Sequence, residues 1–362
     1  MNKAAPRAPV VGSATLDERL EQALVRFVAK QRERLAEAGP AVTPLIDAAH
    51  ACVSGGKRLR AAYCYWGWRA AGGAPDEPAV VEVAAALEWL QSSALVHDDL
   101  IDSSATRRGR PSVHEAFATR HVHHGWRGDA RAHGAGVAIL VGDLMLSWAD
   151  EMFRSCGLPP DTLALASPYL DLCKSEVVAG QFLDMVAQAA DDPSVDTAMR
   201  VVRFKAAKYT VERPLHVGAA LAGADQALLA SLSAVGVPVG EAFQLRDDVL
   251  GMFGDSAVTG KPAGDDLREG KRTVLLARAY ERADDSERAL LDRVLGNPTA
   301  GPEAVTQARA VIVRTGALAA VEEQIERLHT TARTALDAAP IADPAVCRAL
   351  EGLAERSVRR SR

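Results

Sequence analysis

In VVEVAAALEWLQSSALVHDDLID, Val80 to Asp102, apolar residues recur every three or four positions. That is the period of an α-helix with one face buried. The last turn carries Asp98, Asp99 and Asp102 in a D-D-x-x-D arrangement. At about 100° per residue, Asp98 and Asp102 fall roughly 40° apart with Asp99 beside them, so the carboxylates share one face. Left alone they repel each other. Divalent cations would gather them, and Mg2+ prefers hard oxygen ligands and bridges carboxylates to phosphates. Arg107 and Arg108 follow five residues on. Their forked donors suit phosphate oxygens. An acidic helix end paired to its own arginines would show the same residues.

Outward from this stretch the pattern stays helical. AGVAILVGDLMLSWADEMF, YLDLCKSEVVAGQFLDMVAQ, VVRFKAAKYTVERPLHVGAALAG, PVGEAFQLRDDVLGMFG, TVLLARAYERA and GALAAVEEQIERLHTTARTALDAA all carry the same period. Gly and Pro clusters such as SGGKR, AGGAPDEP and GKPAGDD separate them. Thr15 and Glu18 predict a capping box that opens a helix with Leu20, Leu24, Phe27 and Val28 inward. No alternating strand pattern stands out, and the segments do not repeat at a fixed period. The reading is one all-α domain over residues 15–355, with a disordered tail at 1–14 and a basic tail at 356–362.

The 362 residues are 48% hydrophobic and 25% charged with a net charge of −5. That is an ordinary soluble globular balance, and it argues against a nucleic-acid partner. Cys52, Cys64, Cys156, Cys173 and Cys347 are odd in number and form no C-x-x-C pair, as expected of reduced thiols in a cytoplasmic protein. No signal peptide and no run of 18 uncharged apolar residues is evident, so stable membrane insertion is not expected.

A second acidic pair, Asp247 and Asp248 in FQLRDDVLG, lies on another helix. Asp255, Lys261, Asp265, Asp266 and Lys271 follow it. Two aspartate-bearing helices could hold metal ions and a diphosphate, with lysines completing the shell. SGGKRLR, Ser54 to Arg60, is different. Its glycines allow close backbone approach to an anion, and Lys57, Arg58 and Arg60 bring charge without acidic neighbours. Gln91, seven residues before Asp98, lies on the same helix stripe two turns deeper and could reach such an anion.

In order, GGKRLR, HDDLIDSSATRRGRP, VGD, GQFLD, FKAAKYTVERP, FQLRDDVLGMFGD and GKPAGDDLREGKRT resemble the motifs of the trans-isoprenyl diphosphate synthases. This is the family of the farnesyl and geranylgeranyl diphosphate synthases, and the resemblance spans nearly the whole chain. It is nearest to a bacterial geranylgeranyl diphosphate synthase. It implies a helical bundle around a deep central cavity, a homodimer, and Mg2+, three ions per active site. It implies that Asp98, Asp99, Asp102, Arg107, Lys205, Asp247 and Asp248 are catalytic, the aspartates as metal ligands. Arg107, Gln181, Lys205 and Lys261 would hold the allylic diphosphate. Arg108, Lys57, Arg60 and Gln91 would hold isopentenyl diphosphate, and Gln244 and Lys271 complete the substrate-binding set. The sequence departs from the family pattern at Gly251, where a third aspartate often stands; water or Asp255 could replace it. Ala206 stands in place of a usual threonine, and Ala61 in place of a frequent proline.

The implied reaction condenses isopentenyl diphosphate with a dimethylallyl, geranyl or farnesyl diphosphate. Residues four and five before Asp98 lie roughly 6–8 Å deeper along the helix. These are Ala94 and Ser93, both small, with Leu90 as a deeper floor beside Leu87 and Trp89. Since bulky residues there stop the chain at farnesyl length in the family, geranylgeranyl diphosphate is the expected product, and farnesyl or geranylfarnesyl diphosphate the alternative. A class I terpene cyclase would leave GGKRLR idle, and an inactive partner subunit would be expected to lose the first aspartates. HVHHGWRGDARAH, with His121, His123, His124 and His133, reads as a polar loop rather than a metal site. Trp66 and Trp68 read as core.

Overall fold

The structure is a computed structural model that describes residues 15–254 and 264–358. Helix α1 (Leu16–Arg34) opens on the expected capping box: Thr15 N–H donates to Glu18 Oε2 at 2.7 Å, and Thr15 Oγ1 accepts from Glu18 N–H. Leu20, Leu24, Phe27 and Val28 are all buried. The chain is all-α. Among the described residues the exceptions are β1 (Thr106–Arg107) and β2 (Arg110–Pro111), an antiparallel ribbon with Arg107 opposite Arg110. Arg108 and Gly109 join the strands, both with positive φ, 53° and 71°. Positive φ at both central residues is what a two-residue hairpin of right-handed twist requires. Period counting missed this ribbon because two-residue strands carry no period.

Two compact units interleave along the sequence. The first takes the described residues of Met1–Ser167, Pro214–Asp225 and Ile341–Ala349. It holds α1, α2 (Thr43–Val53), α3 (Leu59–Ala70), α4 (Pro78–Ile101), the ribbon, α5 (Val113–His123) and α6 (Ala130–Arg154). Its core is aromatic at the centre. Trp89 of α4 lies 5.9 Å from Phe27 and 5.1 Å from Trp148, ring to ring, and is fully buried. Replacing such a ring by alanine costs about 3–5 kcal/mol. Helix α4 starts on Pro78 with Glu77 capping Ala79 N–H, and stops before Ser103, whose φ is 53°. Trp66 and Trp68 are buried as expected.

The second unit takes the described residues of Pro168–Arg213, Gln226–Pro340 and Leu350–Arg362. It holds α7 (Pro160–Ala189) from Pro168 on, α8 (Val195–Val201), a π-helical segment (Val202–Glu212), α10 (Gln226–Phe253) and the short α11 (Asp265–Arg268). Helices α12 (Val274–Arg282), α13 (Asp285–Val294), α14 (Pro302–Arg314) and α15 (Ala317–Asp337) follow. Its core is aliphatic, with Leu245, Met252, Leu267, Leu276, Val321 and Ile325 fully buried. The run read as one helix through VVRFKAAKYTVERPLHVG is helical, but its middle is widened. Pro214 explains the change: it has no N–H to donate, and its ring crowds the preceding turn. Arg213 N–H instead reaches back five residues to the Lys208 carbonyl. Helix α9 (Arg213–Leu221) continues beyond.

Helix α16 (Pro344–Val358) extends into what reads as the basic tail, and Ser357 and Val358 are fully buried. Val358 carbonyl accepts Arg246 Nε at 3.1 Å, so residues 356–358 are packed helix rather than tail. The histidine segment is also mostly helix: His121 and His123 end α5, and His133 lies on α6. The His133 and His121 rings sit 5.3 Å and 6.0 Å from Trp126. Among the described residues no group of three His, Cys, Asp or Glu side chains forms a ready-made metal cage. Helices α4, α6 and α10 are long and apolar enough to cross a membrane by length and composition. The apolar window of α4 is 78% buried within the protein and that of α6 only 39%.

Candidate active site

The first acidic cluster ends α4. Asp99 is almost fully buried, while Asp98 and Asp102 are partly exposed. A helix C-terminus carries partial negative charge of its own, so three carboxylates there need cations. Arg107 supplies one: its Nε donates to Asp99 Oδ1 at 2.8 Å, its Nη2 contacts the same oxygen, and Nη2 lies 3.7 Å from Asp98. His97 packs on α6 at Gly142, where a Cβ would lie 2.0 Å from its Nε2. That close approach gives the glycine of VGD its purpose.

The ribbon turns two of its three arginines, Arg107 and Arg108, to different partners. Arg107 goes to the aspartates. Arg108 goes to the basic loop, donating through Nη1 to Ser54 carbonyl at 3.2 Å, with Gly56 directly beneath its guanidinium. Gly55 and Gly56 both have positive φ, 71° and 96°, which favours glycine. Lys57 is exposed there and Arg60 half-buried. Arg58 differs from its neighbours. It is buried, donating to Val53 carbonyl at 2.8 Å and to Glu88 and Glu21 at 3.3 Å and 2.8 Å. It braces the loop from behind and is not an open anion ligand. Gln91 Oε1 is buried and finds no hydrogen-bond donor among the described residues.

In the second unit, α10 carries Gln244, Asp247 and Asp248. Gln244 Nε2 donates to Asp248 Oδ1 at 2.8 Å. Burial pushes the Asp248 carboxyl well above the usual carboxylate range; the Gln244 bond opposes this, and the charges of Asp266 and Asp247 add to it. A divalent cation would relieve such crowding. Gly251 explains how Asp266 comes so close: a Cβ at 251 would lie 2.1 Å from Asp266 Oδ2. Asp266 therefore occupies the place of the absent third side chain. Lys271 pairs with Glu269 at 2.7 Å and lies 3.9 Å from Asp266. Lys205 stands in the π-helical segment and donates to Asp184 at 2.7 Å. Gln181 lies half-buried on α7 and Ala206 is buried. Lys261 and Asp255 lie outside the described residues.

Residues 43–312 match the family model described as polyprenyl synthetase. The chain belongs to the polyprenyl synthetase family. This polyprenyl synthetase is similar to a geranylgeranyl pyrophosphate synthase from Corynebacterium glutamicum, crystallised with isoprenyl diphosphate and magnesium. The two share 39% identity and a TM-score of 0.91 over 96% of this chain and 100% of that one. It is also 32% identical to the geranylfarnesyl diphosphate synthase of Aeropyrum pernix over 81% of this chain and 87% of the relative. With the geranylgeranyl diphosphate synthase of Mycobacterium tuberculosis it shares 35% identity over 66% of this chain and 63% of the relative. The chain is a trans-prenyltransferase of the chain-elongating kind, and magnesium is the metal expected of its family.

In the first unit, the expected residues thus fall into a set at the aspartate cluster (Asp98, Asp99, Asp102, Arg107) and a set at the glycine-rich basic loop (Lys57, Arg60, Arg108). Sequence reading missed Asp184, Glu88 and the part played by Asp266. Asp184 stands four residues after Gly180 within AGQFLD, a spacing that marks one helix face. The partners of Glu88 and Asp266 are non-local and leave no trace in local sequence.

Proposed function

We propose that this chain condenses isopentenyl diphosphate with dimethylallyl, geranyl or farnesyl diphosphate and releases geranylgeranyl diphosphate. One observation carries the reading: the ribbon divides adjacent arginines between the aspartate cluster that ends α4 and the glycine-rich basic loop. A metal-bound diphosphate suits the first and a metal-free diphosphate the second. A terpene cyclase has no use for the second, and an inactive partner subunit none for an intact first motif.

Asp98, Asp99, Asp102, Asp247 and Asp248 are the proposed Mg2+ ligands, for three ions in all, with Asp266 as the carboxylate in the Gly251 position. Their oxygens are the hard donors Mg2+ takes, and no closed cage is required, since Mg2+ keeps waters and shares substrate phosphates. When bound, the metal supplies Lewis-acid stabilisation of the departing pyrophosphate. Arg107 and Lys205 hold the allylic diphosphate, with Gln181 and Lys261, and stabilise the charge growing on its leaving oxygen. Arg108, Lys57, Arg60 and Gln91 orient isopentenyl diphosphate, whose double bond attacks as the allylic C–O bond breaks. Gln244 holds Asp248, and Lys271 completes the second motif. The proton lost last goes to the released pyrophosphate. Ser93, Ala94 and Leu90 set product length.

The exposed apolar face of α6, Ile139, Leu140 and Leu146, supports a homodimer. With that face covered, no membrane is needed to explain it, and free cysteines fit the cytoplasm. The test is incubation of the pure protein with Mg2+, isopentenyl diphosphate and each allylic primer, products identified by mass. A 20-carbon diphosphate is expected. No elongation with any primer would overturn the reading.

A further inference from the structure

Three residues of α7 fall four apart on one helix face: Glu176, Gly180 and Asp184. All three meet the π-helical segment. Asp184 is buried; one oxygen accepts Lys205 Nζ at 2.7 Å and the other Gln188 Nε2 at 3.2 Å. Glu176 accepts Lys208 Nζ at 2.6 Å and Arg213 through Nε at 2.6 Å and Nη2 at 2.8 Å. Between them the backbones touch: a Cβ on Gly180 would lie 2.2 Å from Lys205 N. One turn earlier, the Cys173 thiol donates to Tyr209 carbonyl at 3.9 Å.

The segment needs such support. A π-helix is rare beyond a single turn, and this one spans Val202–Glu212. Pro214 favours the widened turn at one end only. Farther back, nothing in the local sequence prevents relaxation to an α register. A one-residue slip turns a helical side chain by about 100°, which would carry the Lys205 ammonium away from whatever it serves.

We propose that Glu176, Gly180 and Asp184 form a clamp that fixes the register of the π-helical segment and so sets where Lys205 meets the allylic diphosphate. This rests on the assignment of Lys205 to that substrate above. Asp184 and Glu176 are positioning residues. Asp184 acts by holding the ammonium directly. Glu176 acts at a distance, through Lys208 and Arg213 at the far end of the segment.

The test compares full-length wild type with Asp184→Asn, Asp184→Glu and Glu176→Gln, each substrate varied separately. Amide hydrogen exchange over residues 202–212 is the readout that needs no substrate. Asp184→Asn is expected to lower kcat/KM for the allylic diphosphate by about tenfold or more, the loss of one charge-assisted bond. The KM for isopentenyl diphosphate stays near wild type, and Asp184→Glu recovers part of the loss. Glu176→Gln is expected to speed exchange across 202–212 and to show the same allylic-selective loss, although it never touches Lys205. Unchanged exchange and kinetics in both variants would overturn the clamp. So would a parallel loss for both substrates with a lowered unfolding temperature, which is the mark of packing alone. An active wild type with unaffected variants overturns only the clamp; a wild type inactive with every allylic diphosphate overturns the functional reading too.

Discussion

Gly251 is a residue whose meaning lies in another residue's position. The side chain missing there leaves room that Asp266 fills, 2.1 Å from where a Cβ would stand. Restoring the family's aspartate by Gly251→Asp should therefore harm rather than help. The clash and added negative charge are expected to cost about 1–3 kcal/mol, measured by urea unfolding. Asp266→Asn should leave folding intact and weaken Mg2+ binding in the presence of pyrophosphate, measured by calorimetry; unchanged affinity would remove Asp266 from the ligand set. On α4, Ala94 is the more open of the two small residues and Ser93 the more buried. Ala94→Phe is accordingly expected to shift the product toward 15 carbons by mass, and an unchanged distribution would refute that wall. The aspartates, arginines and small residues stood out as candidates because each sits in a short local pattern. Arg58 was misread because charge alone does not tell a brace from a ligand: its carboxylate partners, Glu21 and Glu88, lie far along the chain.

Among elements, α4 was fully readable, since a buried helix with an acidic end writes its period and its charge in one stretch. The ribbon was not, because two residues cannot alternate. The π-helical segment was half legible. Pro214 announced a disturbance, but a widened helix keeps the same apolar residues as an ordinary one. Its anchor on α7 has a pH signature. Burial tends to raise the Glu176 pKa, but hydrogen bonds and charges from Arg213 and Lys208 outweigh it, leaving the group below its ordinary value. A depressed carboxylate contributes stability that is present above the unfolded pKa of about 4.3 and lost as pH falls through the folded one. Glu176→Gln should thus lower stability at pH 7 and flatten the acid limb of the stability curve. Parallel wild-type and variant curves would contradict that sign.

At the scale of the whole molecule, composition and charge fitted a globular enzyme. They did not disclose two interleaved units, because contacts between distant segments define them. The α6 face is the surface that composition also hides. If Ile139, Leu140 and Leu146 cover a second copy, Leu140→Asp should convert a dimer to monomer in sedimentation velocity; a wild-type monomer would contradict the assignment. Condensation of two diphosphates here requires the adjacent arginines to serve different ones. Steady-state kinetics of Arg107→Gln and Arg108→Gln, with each substrate varied separately, test this most directly. Arg107→Gln is expected to raise the KM or lower the kcat for the allylic diphosphate, while Arg108→Gln chiefly raises the KM for isopentenyl diphosphate. Identical effects of both variants on both substrates would contradict it.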